Sequence, residues 1–510
     1  MLLSPSARAA TCESVALAKL PNTTITSART IAAGKYVLPP QPSREAHMDS
    51  QPIADFDYAS LPAFCKVTAV IQTSGDSMDR IEVWLPIDTW NGKLLVHTFR
   101  YFGGLMEPPM LADAVKHGYA SVTTDLGSGR NQSAKWMYGH PEYVKDWAYR
   151  GWHEATLKTK ALIDMYYGRG PRFSYMDSCG GAVRSTLKEI QMFPEDYDAI
   201  STSLHTAYAS RLGFGETRAL LFKGDDGGDL GKKVEFLHRA VLDKCDALDG
   251  LKDGTIGNPE GCLKKFDPAS LQCQGADGPN CLTAPQVARV RAWYDVVRNP
   301  RTHEQLSGRR YPGSELTFNG GQRLSVYSVD FFRYFVFKDL NWDPEKRPVN
   351  FDSDVALADA SDGALGNAVD PNIAPFLKRG GKLLLVPGWY DAIYATTLNI
   401  DYYNAVKEKV GEQARDSVRM FMLPDVSSCP DGRVDFVNEV KPGSKIRTLD
   451  TLTTLASWRE NNITPNKMLL HEVQNSDVRD RLLCPYPQVG FYKGSGNIND
   501  PTNFVCKPPV

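Results

Sequence analysis

Short β-branched runs alternate with amphipathic helical stretches over most of this 510-residue chain, and that alternation constrains the fold more than any other feature. From Ile81 the sequence reads IEVWLP, then KLLVHTF at Lys93–Phe99 and YASVTTDLG at Tyr119–Gly127, each run stopped by Pro or Gly as a strand would be. Between them PPMLADAVKHG carries apolar residues at helical spacing. HEATLKTKALIDMYYG, from His153, does so more strongly and closes on Gly168 as a C-terminal stop. The pattern returns with FSYMDS, a helix through Arg184 to Met192, DAISTS, and much later KLLLVPG and SVRMFMLP. Such alternation predicts an α/β fold, a mostly parallel sheet covered by helices.

Between Leu212 and about Pro375 the pattern gives way to Gly-, Asp- and Pro-rich loops, clustered cysteines and the aromatic stretch VDFFRYFVFKDLNWD. A loop-rich insertion of this length predicts a lid. The expected division is an N-terminal extension over 1–59 packed on the core, a core over 60–210 and 375–510, and a lid over 211–374. The spacing of Phe331, Phe332, Tyr334, Phe335 and Phe337 reads as core packing rather than as a platform for a ligand.

Charge excludes some functions. With 58 Lys+Arg against 60 Asp+Glu the net charge is -2, so nothing favours nucleic acid or an anionic membrane surface as partner. No apolar run approaches the roughly 18 residues of a membrane span. Met1–Ala10 is too short and too polar for a full secretory signal, so a signal, if one exists, is expected to have been trimmed.

The ten cysteines make an even number. Cys245/Cys262, Cys273/Cys281 and Cys484/Cys506 lie close together in loop-rich sequence, where local bridges staple segments with little core of their own. No C-x-x-C spacing supports the alternative of zinc. Disulfides imply an oxidising compartment, and three Asn-x-Ser/Thr sequons, at Asn22, Asn131 and Asn462, agree with passage through the secretory pathway, whether or not they are glycosylated.

The segment with most chemical content is SYMDSCGGAVRSTLKEIQMFPEDYDAI, Ser174–Ile200, a strand, a glycine turn and a helix. This is the layout of a nucleophile elbow, in which the turn presents a nucleophile above the sheet and the helix N-terminus favours negative charge. At its tip stands glycine. A second segment, DALDGLKDGT at Asp246–Thr255, sets carboxylates at offsets 0, 3 and 7 among glycines, the kind of oxygen cage a hard cation takes.

The chain resembles the fungal and bacterial tannase/feruloyl esterase family over nearly its whole length. The resemblance is carried in order by LPNTTITSA, AFCKVTAVI, IEVWLP, WHEATLKTKALIDMYYG, FPEDYDAI, CDALDGLKDGTIGNPEGC, FDPASLQC, CLTAPQV, GWYDAIYATTLNIDYYN, FMLP and LCPYPQVGFYKGSGNINDPTNFVC. It implies an α/β-hydrolase core with a large inserted lid. It also implies a bridge between Cys179 and Cys429 beneath the site, and Cys12 and Cys65 complete the set of ten disulfide candidates. A structural Ca²⁺ is implied on Asp246, Asp249 and Asp253 with the carbonyls of Leu251 and Thr255, and no organic cofactor.

At the triad this chain departs from the family. The family elbow reads C-S-T-G-G-R, and CGGAVR here puts Gly180 at the nucleophile position. The family's general-base segment reads F-M-x-P-G-M-x-H-C, and FMLPDVSSC puts Ser428 at the histidine position. Only the acid remains, as Asp391 in GWYDA. Ser/His acyl transfer is therefore expected to be absent. Ser178 lies two residues before the normal position, inside the strand, and reads with Ser427 and Ser428 as an ordinary polar residue. His153 reads as a packed or helix-surface histidine. His205, past a strand end, and His97, Arg100 and Tyr101, in the stretch where the family keeps small oxyanion-hole residues, are candidates for a refilled pocket, as is Tyr390; for each, plain packing is an equal reading.

The expected function is a non-hydrolytic enzyme of cyclase, isomerase or lyase type. It would take an aromatic or polyketide-like small molecule in secondary metabolism and promote cyclisation, isomerisation, elimination or cycloaddition, with Asp391, His205, Arg100, Tyr101 and Tyr390 as candidate catalytic residues. The alternatives are an ester hydrolase of tannase/feruloyl esterase type with an unrecognised nucleophile, and a catalytically inactive binding protein. A homodimer is a further expectation.

Overall fold

The computed structural model describes residues 10–39, 56–98, 102–104, 106–129, 131, 133–203, 207–216, 230–317, 326–391, 395–426, 429, 445–475 and 477–509. Its strands, in chain order, are β1 (Thr23–Ile31), β2 (Phe64–Ile71), β3 (Asp79–Pro86), β4 (Lys93–Thr98), β5 (Ser121–Thr124), β6 (Phe173–Cys179) and β7 (Ala199–Ser203). Then come β8 (Val297–Arg298), β9 (Gln305–Ser307), β10 (Lys382–Leu385), β11 (Val418–Met420), β12 (Lys445–Leu449), β13 (Met468–Gln474), β14 (Asp477–Leu483), β15 (Val489–Tyr492) and β16 (Phe504–Lys507).

An antiparallel sheet β1-β2-β3-β5 and a parallel sheet β11-β10-β7-β6-β4 form two halves of one surface. They meet where the Leu95 N–H donates to the Ala120 carbonyl at 2.9 Å and the Ala120 N–H to that of Lys93 at 3.1 Å. The order across the whole is β1-β2-β3-β5-β4-β6-β7-β10-β11, with the parallel, helix-covered sheet that the alternating pattern predicts and the α/β-hydrolase core that the resemblance implies. All the helix and loop structure between β7 and β10 is inserted into that sheet.

The strands bury both faces. Leu94, Val96, Met176, Ile200, Leu383 and Leu385 pack on one side with Leu162 and Ile163 of the helix Gly151–Tyr167 and Val183, Leu187 and Ile190 of the helix Val183–Met192. Leu95, Tyr175, Ala199, Leu384 and Val386 pack on the other with Leu452, Leu455 and Trp458 of the helix Thr451–Asn461. The period-two alternation of strand side chains thus feeds two cores at once. Phe331, Phe332, Tyr334 and Phe335 are buried in a third cluster with Phe102, Trp147 and Phe214, so the aromatic stretch is packing.

Five disulfides join Cys12–Cys65, Cys179–Cys429, Cys245–Cys262, Cys273–Cys281 and Cys484–Cys506. No helix among the described residues is long and apolar enough to cross a membrane.

Candidate active site

The central strand β6 ends at Cys179 in extended backbone. The chain then turns sharply at Gly180, whose φ of +65° lies in the left-handed region, and enters the helix Val183–Met192 through a short 3₁₀ turn, Gly180–Ala182. Glycine adopts that conformation without the steric cost a side chain brings. A Cβ built on Gly180 would meet only the Cys429 Sγ within 4 Å, at 3.7 Å, an ordinary contact. The turn therefore has the shape of an elbow and room for a side chain, and carries none.

Arg184, buried one residue into the helix, fixes the elbow from behind. Its Nη1 donates to the Trp147 carbonyl at 2.6 Å and its guanidinium stacks 3.7 Å from the centre of the Trp147 ring. Ser178 lies two residues before the turn. It is buried in β6, and its hydroxyl donates to the Ser201 carbonyl at 3.4 Å.

Asp391 follows β10 and is 1% exposed. The loop leading to it is bonded to the segment after β11: the Trp389 N–H donates to the Leu423 carbonyl at 3.0 Å and the Tyr390 N–H to that of Val426 at 3.1 Å. At Gly388 a Cβ would lie 2.2 Å from the Val426 carbonyl oxygen, so only glycine allows this approach. Three residues beyond Val426, Cys429 is bridged to Cys179, with 5.8 Å between their Cα atoms. The elbow with its bridge to Cys429, the Asp391 loop and Val426 thus lie at the carboxyl ends of β6, β10 and β11, where open α/β sheets place their ligands.

Arg100, Tyr101, His205, Ser427 and Ser428 lie outside the described residues. The Tyr390 hydroxyl, fully buried, donates to the Ile256 carbonyl at 3.4 Å, and its ring lies against Gly313. Its phenol is directed into the insertion.

Sequence reasoning missed Arg310 and Glu216, both buried in the insertion. Arg310 lies over the Trp293 ring at 4.3 Å. Burial pushes its guanidinium down to about 10, against the opposing pull of the Asp391 and Glu216 carboxylates. In GRRYPG nothing marks Arg310 out, because its partners come from the loop after β10 and from a helix ninety-odd residues earlier in the chain. Asp113 and Asp177 were missed likewise. His97 is buried between them, Nε2 at 3.2 Å from Asp113 and Nδ1 at 3.4 Å from Asp177, and Asp177 also accepts from the hydroxyls of Ser201 and Thr451.

In the Asp246–Thr255 loop the two Asp246 oxygens accept from the N–H groups of Asp253 and Gly254, at 3.2 and 3.0 Å, and Asp249 accepts from Leu251 at 3.1 Å. Asp249 is buried, and a Cβ at Gly257 would lie 2.1 Å from its Oδ2. Burial lifts the Asp249 carboxyl to about 7, with the charges of Asp253 and Asp246 adding to the rise. Asp253 is paired with Arg479 at 2.5 Å and Arg481 at 3.1 Å. An all-oxygen donor set around a buried carboxylate fits a hard cation, which would share Asp253 with the two arginines.

Behind that loop Arg481 also reaches Glu472, at 3.3 Å, and Arg447 reaches it at 3.2 Å. Burial alone would raise the Glu472 carboxyl, but the charges of Arg481, Lys445 and Arg447 outweigh it and hold Glu472 below its ordinary value. A depressed carboxyl adds stability above its unfolded value, near 4.5, and loses it as pH falls through the folded one. Replacing Glu472 by Gln should cost about 3 kcal/mol near pH 7. In urea denaturation run at several pH values, the gap between wild type and variant should close in acid.

The model of the family described as tannase and feruloyl esterase matches residues 65–507. The chain belongs to the tannase/feruloyl esterase family. An uncharacterized esterase of Xanthomonas campestris pv. campestris is 30% identical over 560 aligned positions, covering 99% of this chain and 92% of that protein. Feruloyl esterase B of Aspergillus niger is 28% identical, covering 95% of this chain and 93% of its own. Among solved structures, feruloyl esterase B from Aspergillus oryzae matches with a TM-score of 0.83 at 26% identity, covering 97% of this chain and 99% of that one. Tannin acyl hydrolase from Aspergillus niger matches with a TM-score of 0.74 at 16% identity, a likeness of fold.

Proposed function

We propose that this chain is an enzyme on the feruloyl esterase scaffold that binds an aromatic or polyketide-like small molecule and does not transfer its acyl group. It would promote a cyclisation, isomerisation, elimination or cycloaddition. The observation that carries this reading is Gly180 at the elbow tip: the backbone keeps the sharp strand-to-helix turn that would serve a nucleophile, and it carries no side chain to be acylated. Ser178 offers no substitute, since its hydroxyl is engaged in the strand behind the turn.

Reactions of this kind draw on orientation, which can be worth several kcal/mol, and on a donor that polarises a carbonyl. Arg310, a buried guanidinium beside Asp391 and Glu216, is suited to that second part. Ester hydrolysis is the second reading, favoured by the names of the relatives. It requires a nucleophile away from the elbow tip.

Product mass separates the two. Cyclisation or isomerisation leaves the mass of the substrate unchanged, elimination lowers it, and hydrolysis adds one water across the ester. Methyl ferulate offered as probe should quench the protein's tryptophan fluorescence saturably and be recovered intact by mass spectrometry. Recovery of ferulic acid and methanol at enzymatic rates would overturn the proposal in favour of hydrolysis.

Two further parts of the reading concern setting. Ca²⁺ is proposed at Asp246, Asp249 and Asp253 with the carbonyls of Leu251 and Thr255, where it would hold the loop and take no part in the reaction. Ca²⁺ at a hundredfold excess over its Kd should then add about 2.7 kcal/mol to the stability of chelator-treated protein. A thermal-shift titration should show this gain, and Asp249→Asn should lose it. The secretory pathway is the proposed compartment, supported by five disulfides, which persist in oxidising surroundings.

A further inference from the structure

Behind the elbow, away from the convergence of Gly180 and Asp391, three side chains from three segments meet. His153 stands in the first turn of the helix Gly151–Tyr167, Glu189 in the helix Val183–Met192, and Asp196 in the turn that leads into β7. One ligating atom from each lies within 4.8 Å of the other two. The other such trio among the described residues, Cys273, Asp277 and Cys281, has its two sulfurs bonded to each other.

The three are held there by their surroundings. The His153 ring lies flat on Phe193, 3.6 Å between centroids and 11° between planes, and its Nδ1 is 2.6 Å from the Asp196 Oδ2. Lys160 donates to the carbonyls of Glu195 and Asp196 at 3.2 and 2.5 Å, which pins the turn that carries Asp196. Glu189 has no exposed surface, and no N–H or hydroxyl group donates to its carboxylate, whose polar partner is the Asp196 carboxyl beside it. A carboxylate sealed from water, with no donor, facing a second carboxylate and an imidazole, is an arrangement that a cation completes.

We infer that His153, Glu189 and Asp196 form a binding site for a first-row divalent cation of Zn²⁺ type. One nitrogen and two carboxylate oxygens are a borderline donor set, which suits Zn²⁺ better than a hard all-oxygen ion. The imidazole binds through Nδ1 as neutral ligand, so its proton moves to Nε2, the hydrogen bond to Asp196 is exchanged for two metal bonds, and the proton between the Glu189 and Asp196 carboxyls is released to solvent. The histidine side chain is 21% exposed, which leaves an entry path and a place for water as fourth ligand. Glu189 lies nine residues past Gly180, about 13 Å along the helix axis, so the ion would clamp the elbow helix to its neighbour and would stand apart from the reacting centre.

The test uses tag-free full-length protein, stripped with chelator and then saturated with Ca²⁺ so that the acidic loop does not compete. Zn²⁺ should bind with one equivalent by calorimetry, and Co²⁺ in its place should give visible d–d bands. Both signals should vanish in Glu189→Gln and in His153→Asn and persist in Asp249→Asn. The inference fails if wild type takes up neither metal saturably, which leaves a proton shared by Glu189 and Asp196 as the occupant. It fails equally if uptake is unchanged in His153→Asn. That variant sits at a part-exposed position and decides the matter alone should Glu189→Gln not fold.

Discussion

Purified wild-type protein should release ferulic acid from methyl ferulate at the uncatalysed rate, and the double variant Gly180→Ser/Ser428→His should release it measurably faster. Loss of the nucleophile and base of such a triad lowers the rate by ~10⁴ to 10⁶, so even a small fraction of recovered triad function stands clear of background. The elbow favours recovery: its turn is already formed, and a Cβ at position 180 meets nothing closer than 3.7 Å. A serine there takes on a left-handed φ that costs roughly 1–2 kcal/mol, so the double variant should also unfold at lower urea than wild type. Methyl gallate serves as the second ester. Turnover by wild type comparable to that of the double variant would show a nucleophile elsewhere, and the proposed chemistry would have to be abandoned.

The second large effect is on stability. The Cys179–Cys429 bridge closes a loop of 250 residues, the longest of the five. Loop-closure entropy assigns such a bridge about 5 kcal/mol, with measured values for native disulfides of roughly 2–5 kcal/mol. The variant Cys179→Ser/Cys429→Ser should lose stability in that range, read as a lower urea midpoint with the dependence on denaturant changed by the released chain. Cys273→Ser/Cys281→Ser, which opens a loop of 8 residues, should lose less. Equal losses from the two would mean that the long bridge acts through local packing around the elbow rather than through the chain it encloses.

Much of the fold was legible because it is written in local order. The β-branched runs, the stop at Gly168, the strand–glycine–helix of Ser174–Met192 and the loop-bound cysteine pairs each state their structure within a dozen residues. Asp391 and the bridge across the site came from family resemblance, which carries long-range pairing that spacing alone does not. What escaped was polar partnership across the core. Asp113 and Asp177 look like two acids on a helix and a strand until the sheet brings His97 between them. Arg310 reads as one of two arginines in a turn until burial sets it beside Asp391. Tyr390 shows the reverse: it stands next to Asp391 in sequence, yet its phenol donates to the Ile256 carbonyl in the insertion. His153 reads as a packed histidine and does lie flat on Phe193, but its two acidic neighbours escaped the sequence because Glu189 and Asp196 come near it only when two helices and a turn meet.

Because one covalent link spans from the end of β6 to the far side of β11, the whole insertion belongs to a closed ring of chain. A protease that cuts once in that ring opens it without dividing the molecule. The two fragments stay one particle in solution and part on a denaturing gel only after thiol is added. A nick anywhere in the insertion can therefore leave its two halves joined to the core through Cys179 and Cys429.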